Sequence, residues 1–133
     1  LINHSEHKQP AADVGTCVSM CRDLDIYTCV CADTVDVAKE LAAFKPRMIA
    51  VEPPELIGGD ISVTTATPKI VQDTVEAVES VDSDVMVLCG AGVKTGEDVK
   101  AAVDLGAHGV LLASGVVKAK DPENVLMDLI KHL

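Results

Sequence analysis

Short apolar runs alternate along the chain with longer stretches in which apolar side chains recur every third or fourth position. The runs fall at Ile26–Val30, Met48–Val51, Val85–Cys89 and Gly109–Leu112, and Leu1–Asn3 reads as the end of another. Their near-continuous apolar character predicts strands buried on both faces. Between them, Val14, Cys17, Val18 and Cys21 keep i, i+3, i+4, i+7 spacing, and Val71, Val75 and Val78 repeat the pattern with Thr74 between. That spacing predicts amphipathic helices. Asp13 is expected to cap the first helix and Pro68 to sit near the start of the third. Thr95-x-x-Asp98 reads as a capping box, and Asp121 as a cap before a proline at the first helical position. Alternating strands and helices predict an α/β fold of parallel βα units. Five such strands fit either an open doubly wound sheet or part of a closed barrel, and periodicity does not choose between them.

In both architectures the chemistry gathers where strands end. Glu52 follows Met48–Val51 directly and precedes Pro53 and Pro54. A carboxylate at the mouth of an apolar strand is partly desolvated, which makes it a better base; the bland alternative is a solvated glutamate capping the next segment. The stretch after it runs from rigid prolines to Gly58 and Gly59, and reads either as a lid between hinges or as an ordinary connection. His4 lies just past a strand end beside Ser5 and Glu6. It fits a hydrogen-bond donor to a developing oxyanion, or simply a surface or capping histidine. Cys89-Gly-Ala-Gly-Val and Ala113-Ser114-Gly115 both follow apolar strands. Each offers backbone N–H groups without bulky side chains, which suits a phosphate dianion, although glycine also serves helix–strand packing.

Composition narrows the field. The chain has 133 residues, 48% of them hydrophobic, enough for one packed domain and too apolar for disorder. Acidic residues number 21 against 11 basic, a net charge of −10 that repels nucleic acid and anionic membranes. No uncharged stretch is long and apolar enough to span a bilayer. No basic-then-apolar leader opens the chain, and its five cysteines, an odd number, lie in apolar periodic stretches. A reduced, cytoplasmic protein is therefore expected. His4, His7, His108 and His132 lack ligand spacing, and Cys17-x-x-x-Cys21 and Cys29-x-Cys31 read as core positions. Neither metal nor other cofactor is expected. Glu76, Glu79, Asp82 and Asp84 read as a solvated helix face and its exit.

Taken together, four segments resemble the triosephosphate isomerase family over the whole chain. Asn3-His-Ser-Glu-His-Lys is similar to the motif of its fourth strand, and Ala50-Val-Glu-Pro-Pro-Glu-Leu-Ile-Gly to its sixth-strand glutamate and lid, in the short archaeal form. Leu88-Cys-Gly-Ala-Gly-Val and Gly109-Val-Leu-Leu-Ala-Ser-Gly resemble its seventh and eighth loops. The resemblance implies interconversion of dihydroxyacetone phosphate and glyceraldehyde 3-phosphate in glycolysis and gluconeogenesis. By the family's established division of acid and base roles, Glu52 is the base and neutral His4 polarises the carbonyl. The phosphate is expected to meet backbone near Ile57, Gly58, Gly92, Ala113 and Ser114. Glu6 takes the place of the carboxylate that orients the family's lysine, and a lid from Pro53 to Val63 excludes water.

Two departures accompany the match. Gly58-Gly59-Asp60 stands where the archaeal branch usually has Gly-Thr-Gly. The family's first-loop Asn-x-Lys motif and its first three strands have no counterpart, so residues 1–133 are expected to be the C-terminal portion, units four to eight, of a TIM (β/α)8 barrel. The expected partners are the triose phosphate, the missing N-terminal barrel part, and further copies in a tetramer. The alternative is a non-catalytic open half-barrel that binds phosphate.

Overall fold

Strand β2 (Met48–Val51) runs Met-Ile-Ala-Val, and Ile49, Ala50 and Val51 are all buried. It is buried because it is central. Strand β1 (Cys29–Ala32) lies parallel on one side, with Val30 opposite Ile49 and Ala32 opposite Val51. Strand β3 (Met86–Cys89) lies parallel on the other, with Val51 opposite Cys89. Strand β4 (Gly109–Val110) continues the parallel sheet beyond β3. The computed structural model describes residues 1–59 and 61–133, and among these the strand order is β1-β2-β3-β4.

Helices join successive strands, as parallel pairing demands. Helix α1 (Ala11–Asp23) precedes β1, and α2 (Val35–Ala42) leads to β2. A short turn of helix α3 (Val63–Ala66) and then α4 (Pro68–Glu79) lead to β3. Helix α5 (Gly96–Asp104) leads to β4, and α6 (Ser114–Val117) and α7 (Pro122–Leu129) follow. Val71, Thr74, Val75 and Val78 face the sheet from α4, as their spacing predicts. The buried Thr74 hydroxyl donates to the Ile70 carbonyl at 2.6 Å, so it carries no unmet polar group into the core. Each such valine or isoleucine contributes about 1.5–3 kcal/mol by leaving water. The helix starts at Pro68, Thr95 with Asp98, and Asp121 with Pro122 are formed as expected.

Several boundaries differ. The run Ile26–Val30 is not a strand until Cys29. The Ile26 N–H still bonds back to the Cys21 carbonyl, Asp25 has φ +56°, and Ile26 and Tyr27 are exposed. Leu1–Asn3 contributes one isolated parallel bridge, Ile2 to Val30, rather than a fifth strand. β3 begins at Met86, and β4 stops at Val110 with one further bond from Leu111 to Cys89. Asp13 is not the cap of α1. The Pro10 carbonyl already accepts from the Asp13 and Val14 N–H groups, so the helix starts before it. Cys17 is exposed, since the buried stripe of α1 narrows to Val14 and Val18. Asp82 is half-buried and pairs with Lys45 at 3.1 Å, so the acidic exit of α4 is not wholly solvated.

Candidate active site

Glu52 ends β2, and its backbone N–H bonds to the Ala32 carbonyl at 2.8 Å. The side chain is held where the sheet is still covered: the residue is only 8% exposed, and its Oε2 has no hydrogen-bond partner. A buried carboxylate oxygen without a donor is costly in an inert role, and such atoms concentrate where a ligand completes them. Gly90, at the end of β3, makes the seat. A Cβ there would lie 2.8 Å from both Cγ and Oε1 of Glu52. Only glycine leaves the room.

His4 faces this carboxylate, with Nε2 3.9 Å from Glu52 Oε2. Its other nitrogen, Nδ1, accepts the backbone N–H of Glu6 at 3.3 Å, at the head of the 3-10 turn Ser5–His7. With Nδ1 accepting, the neutral ring has its hydrogen on Nε2, the nitrogen nearer Glu52. The Glu6 carboxylate itself is 3.8 Å from Nδ1 and largely exposed.

One cavity of about 340 Å³ gathers the sequence candidates: His4, Glu6, Glu52, Ile57, Gly58, Gly92, Ala113 and Ser114 all line it. Leu1, Lys94, Leu111 and Leu112 line it as well. Gly92 has φ +73°, and a Cβ on it would meet the Ile61 carbonyl oxygen at 2.1 Å, so this close approach between the turn after β3 and the segment after Glu52 requires glycine. The lid segment forms a 3-10 turn at Pro54–Leu56 and ends against the same turn, where Val63 N–H bonds to the Ala91 carbonyl at 3.1 Å. Asp60, part of the departure from the archaeal pattern, lies outside the described residues. Lys118 is exposed and does not line this cavity.

The strand ends also hold thiols. Burial, then the neighbouring Glu52 carboxylate, pushes Cys31 well above the ordinary thiol range. Burial pushes Cys89 up to about 12. Both are therefore neutral in the ordinary range and serve as small apolar packing. Among the described residues, no three His, Cys, Asp or Glu side chains come together as a metal site, and no helix is long and apolar enough to cross a membrane.

Sequence reasoning took Gly90 only as part of a phosphate-binding turn and missed its seating of Glu52, and it missed the hydrogen bond from the Asn3 side chain to the Cys31 carbonyl. The only available signals were a glycine directly after an apolar strand and an asparagine directly before the histidine.

The sheet thus brings a buried carboxylate, an imidazole and glycine turns around one cavity. The triosephosphate isomerase of Methanobrevibacter smithii is 51% identical over 133 residues, all of this chain and 60% of its own length. That of Methanocaldococcus jannaschii is 53% identical over the same residues and 61% of its length. This chain therefore spans about three-fifths of the relatives it matches. Solved structures share the fold at low identity. An N-acetylmannosamine-6-phosphate 2-epimerase from Clostridium perfringens superposes with TM-score 0.62 at 14% identity, over 86% of this chain and 46% of its own. A flavocytochrome b2 variant does so with TM-score 0.65 at 17% identity, over 92% and 32%. The βα units are those of part of a TIM barrel. The family model for triosephosphate isomerase matches residues 1–133, leaving no segment outside it, and the chain belongs to the triosephosphate isomerase family.

Proposed function

We propose that the polypeptide containing these residues interconverts dihydroxyacetone phosphate and D-glyceraldehyde 3-phosphate, with residues 1–133 forming units four to eight of its barrel. The observation that carries this reading is the unpartnered, buried Oε2 of Glu52 opposite the Nε2–H of His4. Glu52 takes the proton from the carbon beside the carbonyl. The electron pair moves onto the carbonyl oxygen, where His4 donates its hydrogen bond. A proton then passes between the two oxygens of the enediolate, the adjacent carbon takes the proton back from Glu52 as the new carbonyl forms on its neighbour, and Glu52 is restored. Desolvation around Glu52 strengthens both steps, because charge that develops away from water is felt more strongly by nearby dipoles.

The phosphate dianion sits against the backbone near Ile57, Gly58, Gly92, Ala113 and Ser114. There it meets N–H groups rather than a basic side chain carried in those turns. Lys94, on the rim, adds attraction. The lid from Pro53 to Val63 closes over the intermediate and excludes water. We place the protein in the short archaeal branch of the family, as a cytoplasmic enzyme of glycolysis and gluconeogenesis that assembles as a tetramer.

Residues 1–133 alone are expected to be inactive. Their sheet has two open edges, at β1 beside the single Ile2 bridge and at β4, and unpaired edges invite self-pairing. The test is to assay the natural polypeptide with each triose phosphate in D2O. Turnover in both directions with deuterium entering the carbon-bound position is expected. Absence of both turnover and exchange refutes the assignment.

A further inference from the structure

The segment that carries His4 leaves the sheet in an unusual way. Ile2 is paired with β1 by two parallel bonds, its N–H to the Cys29 carbonyl at 2.9 Å and the Cys31 N–H to its own carbonyl at 2.9 Å. The next rung of a parallel ladder would run from the His4 N–H to the Cys31 carbonyl. It does not form there. Asn3 adopts φ +63°, which turns the chain away, and its side-chain Nδ2 donates to the Cys31 carbonyl at 3.0 Å instead. The Oδ1 of the same amide accepts the Gln9 N–H at 2.8 Å, on the far side of the 3-10 turn Ser5–His7. Asparagine is among the few residues with a Cβ that tolerate this backbone region and still present both a donor and an acceptor.

We propose that Asn3 is a positioning residue for His4: its amide replaces the missing ladder bond and clamps both ends of the turn that aims the imidazole at Glu52. The proposal rests on the isomerase reading for its kinetic consequence, but not for its structural one. Among the described residues, the turn's other tie by a charged side chain to β1's exit is the exposed Lys8–Asp33 ion pair. An exposed pair of that kind is worth about 1 kcal/mol or less. A base and an electrophile must hold their geometry within a fraction of an ångström, because misplacement by about 1 Å costs on the order of a hundredfold.

The natural polypeptide carrying Asn3→Gly tests this, since glycine keeps the backbone conformation and removes only the amide. A tenfold or larger fall in kcat is expected, with KM within about twofold, because the turn aims a group at the reacting carbonyl rather than at the phosphate. The ¹⁵N signals of the His4 imidazole report the same event without activity. In the unaltered protein they should show one tautomer, protonated at Nε2; in Asn3→Gly they should move toward the average of the two tautomers. A variant that keeps kcat and the single tautomer, even with a lowered melting temperature, overturns the proposal. Should Asn3→Gly fail to fold, Asn3→Asp decides. It keeps the acceptor for Gln9 and loses the donor to Cys31, and an unchanged His4 spectrum there overturns the proposal equally. If the unaltered protein does not isomerise triose phosphates, the isomerase reading fails while the imidazole spectra still decide the role of Asn3.

Discussion

Glu52 and His4 face each other across one cavity but are held by different means. Glu52 rises from β2, which has a neighbour on each side and buried residues on both faces. Its position is set by packing: the Ala32 carbonyl on one side, Gly90 pressed against its Cγ on the other. His4 follows Ile2, which bridges to β1, and sits on a turn whose two ends the Asn3 side-chain amide ties to Cys31 and to Gln9. A central strand holds its side chain by packing. A turn holds its side chain by hydrogen bonds that can be removed singly. Stability and geometry are therefore coupled at Glu52 and separable at His4.

The stability side of that contrast should give the largest effect. Ile49→Ala, at a fully buried position on β2, should cost about 2–5 kcal/mol, whereas Asn3→Gly, which removes side-chain hydrogen bonds and no buried apolar group, should cost about 1 kcal/mol. Chemical denaturation of the natural polypeptide measures both, and equal costs would break the comparison. Next comes chemistry. Glu52→Asp draws the carboxylate back by one methylene inside a rigid seat, and kcat should fall about a hundredfold or more. An equally active aspartate variant would remove Glu52 from its role.

Gly90→Ala should be milder, about tenfold in kcat with about 1–3 kcal/mol of lost stability, because the new methyl meets Cγ and Oε1 of Glu52 at 2.8 Å. Loss of activity and loss of stability should appear together here, unlike at Asn3. The smallest effect is invisible at neutral pH. Burial raises Cys89 from 9.0 to about 12 in the folded protein, so its neutral thiol favours folding relative to an unfolded chain that ionises earlier. That contribution is fully present below about pH 9 and is lost as pH rises toward 12. Melting temperatures of the unaltered protein should therefore fall through that window more steeply than those of Cys89→Ala. Parallel curves would show that the thiol does not matter.

The parallel βα pattern, the valine stripe of α4, the capping box at Thr95 and the placing of Glu52 and His4 at one cavity were legible because each depends on local spacing or on a short motif. The strand at Ile26 was misread for an equally local reason. Ile26 and Tyr27 have strand propensity, yet α1 extends its hydrogen bonding to Ile26 and the sheet begins only where Ile2 and Met48 offer partners. Propensity names a candidate, but a strand needs a neighbour.

The sequence by itself determined which residue types stand at the strand ends, and so which chemistry the mouth of the sheet can perform. That much follows from periodicity, since apolar runs end where polar side chains begin. Tertiary structure alone decided that Glu52 Oε2 is left without a partner, that Gly90 must lack a side chain, and that the Asn3 amide substitutes for a rung of the ladder. Each of these depends on the approach of backbones distant in sequence to within a few ångströms. Such contacts leave no periodic trace in a single chain, because only the packed sheet brings Leu111, Gly90 and Glu52, or Asn3 and Cys31, to one place.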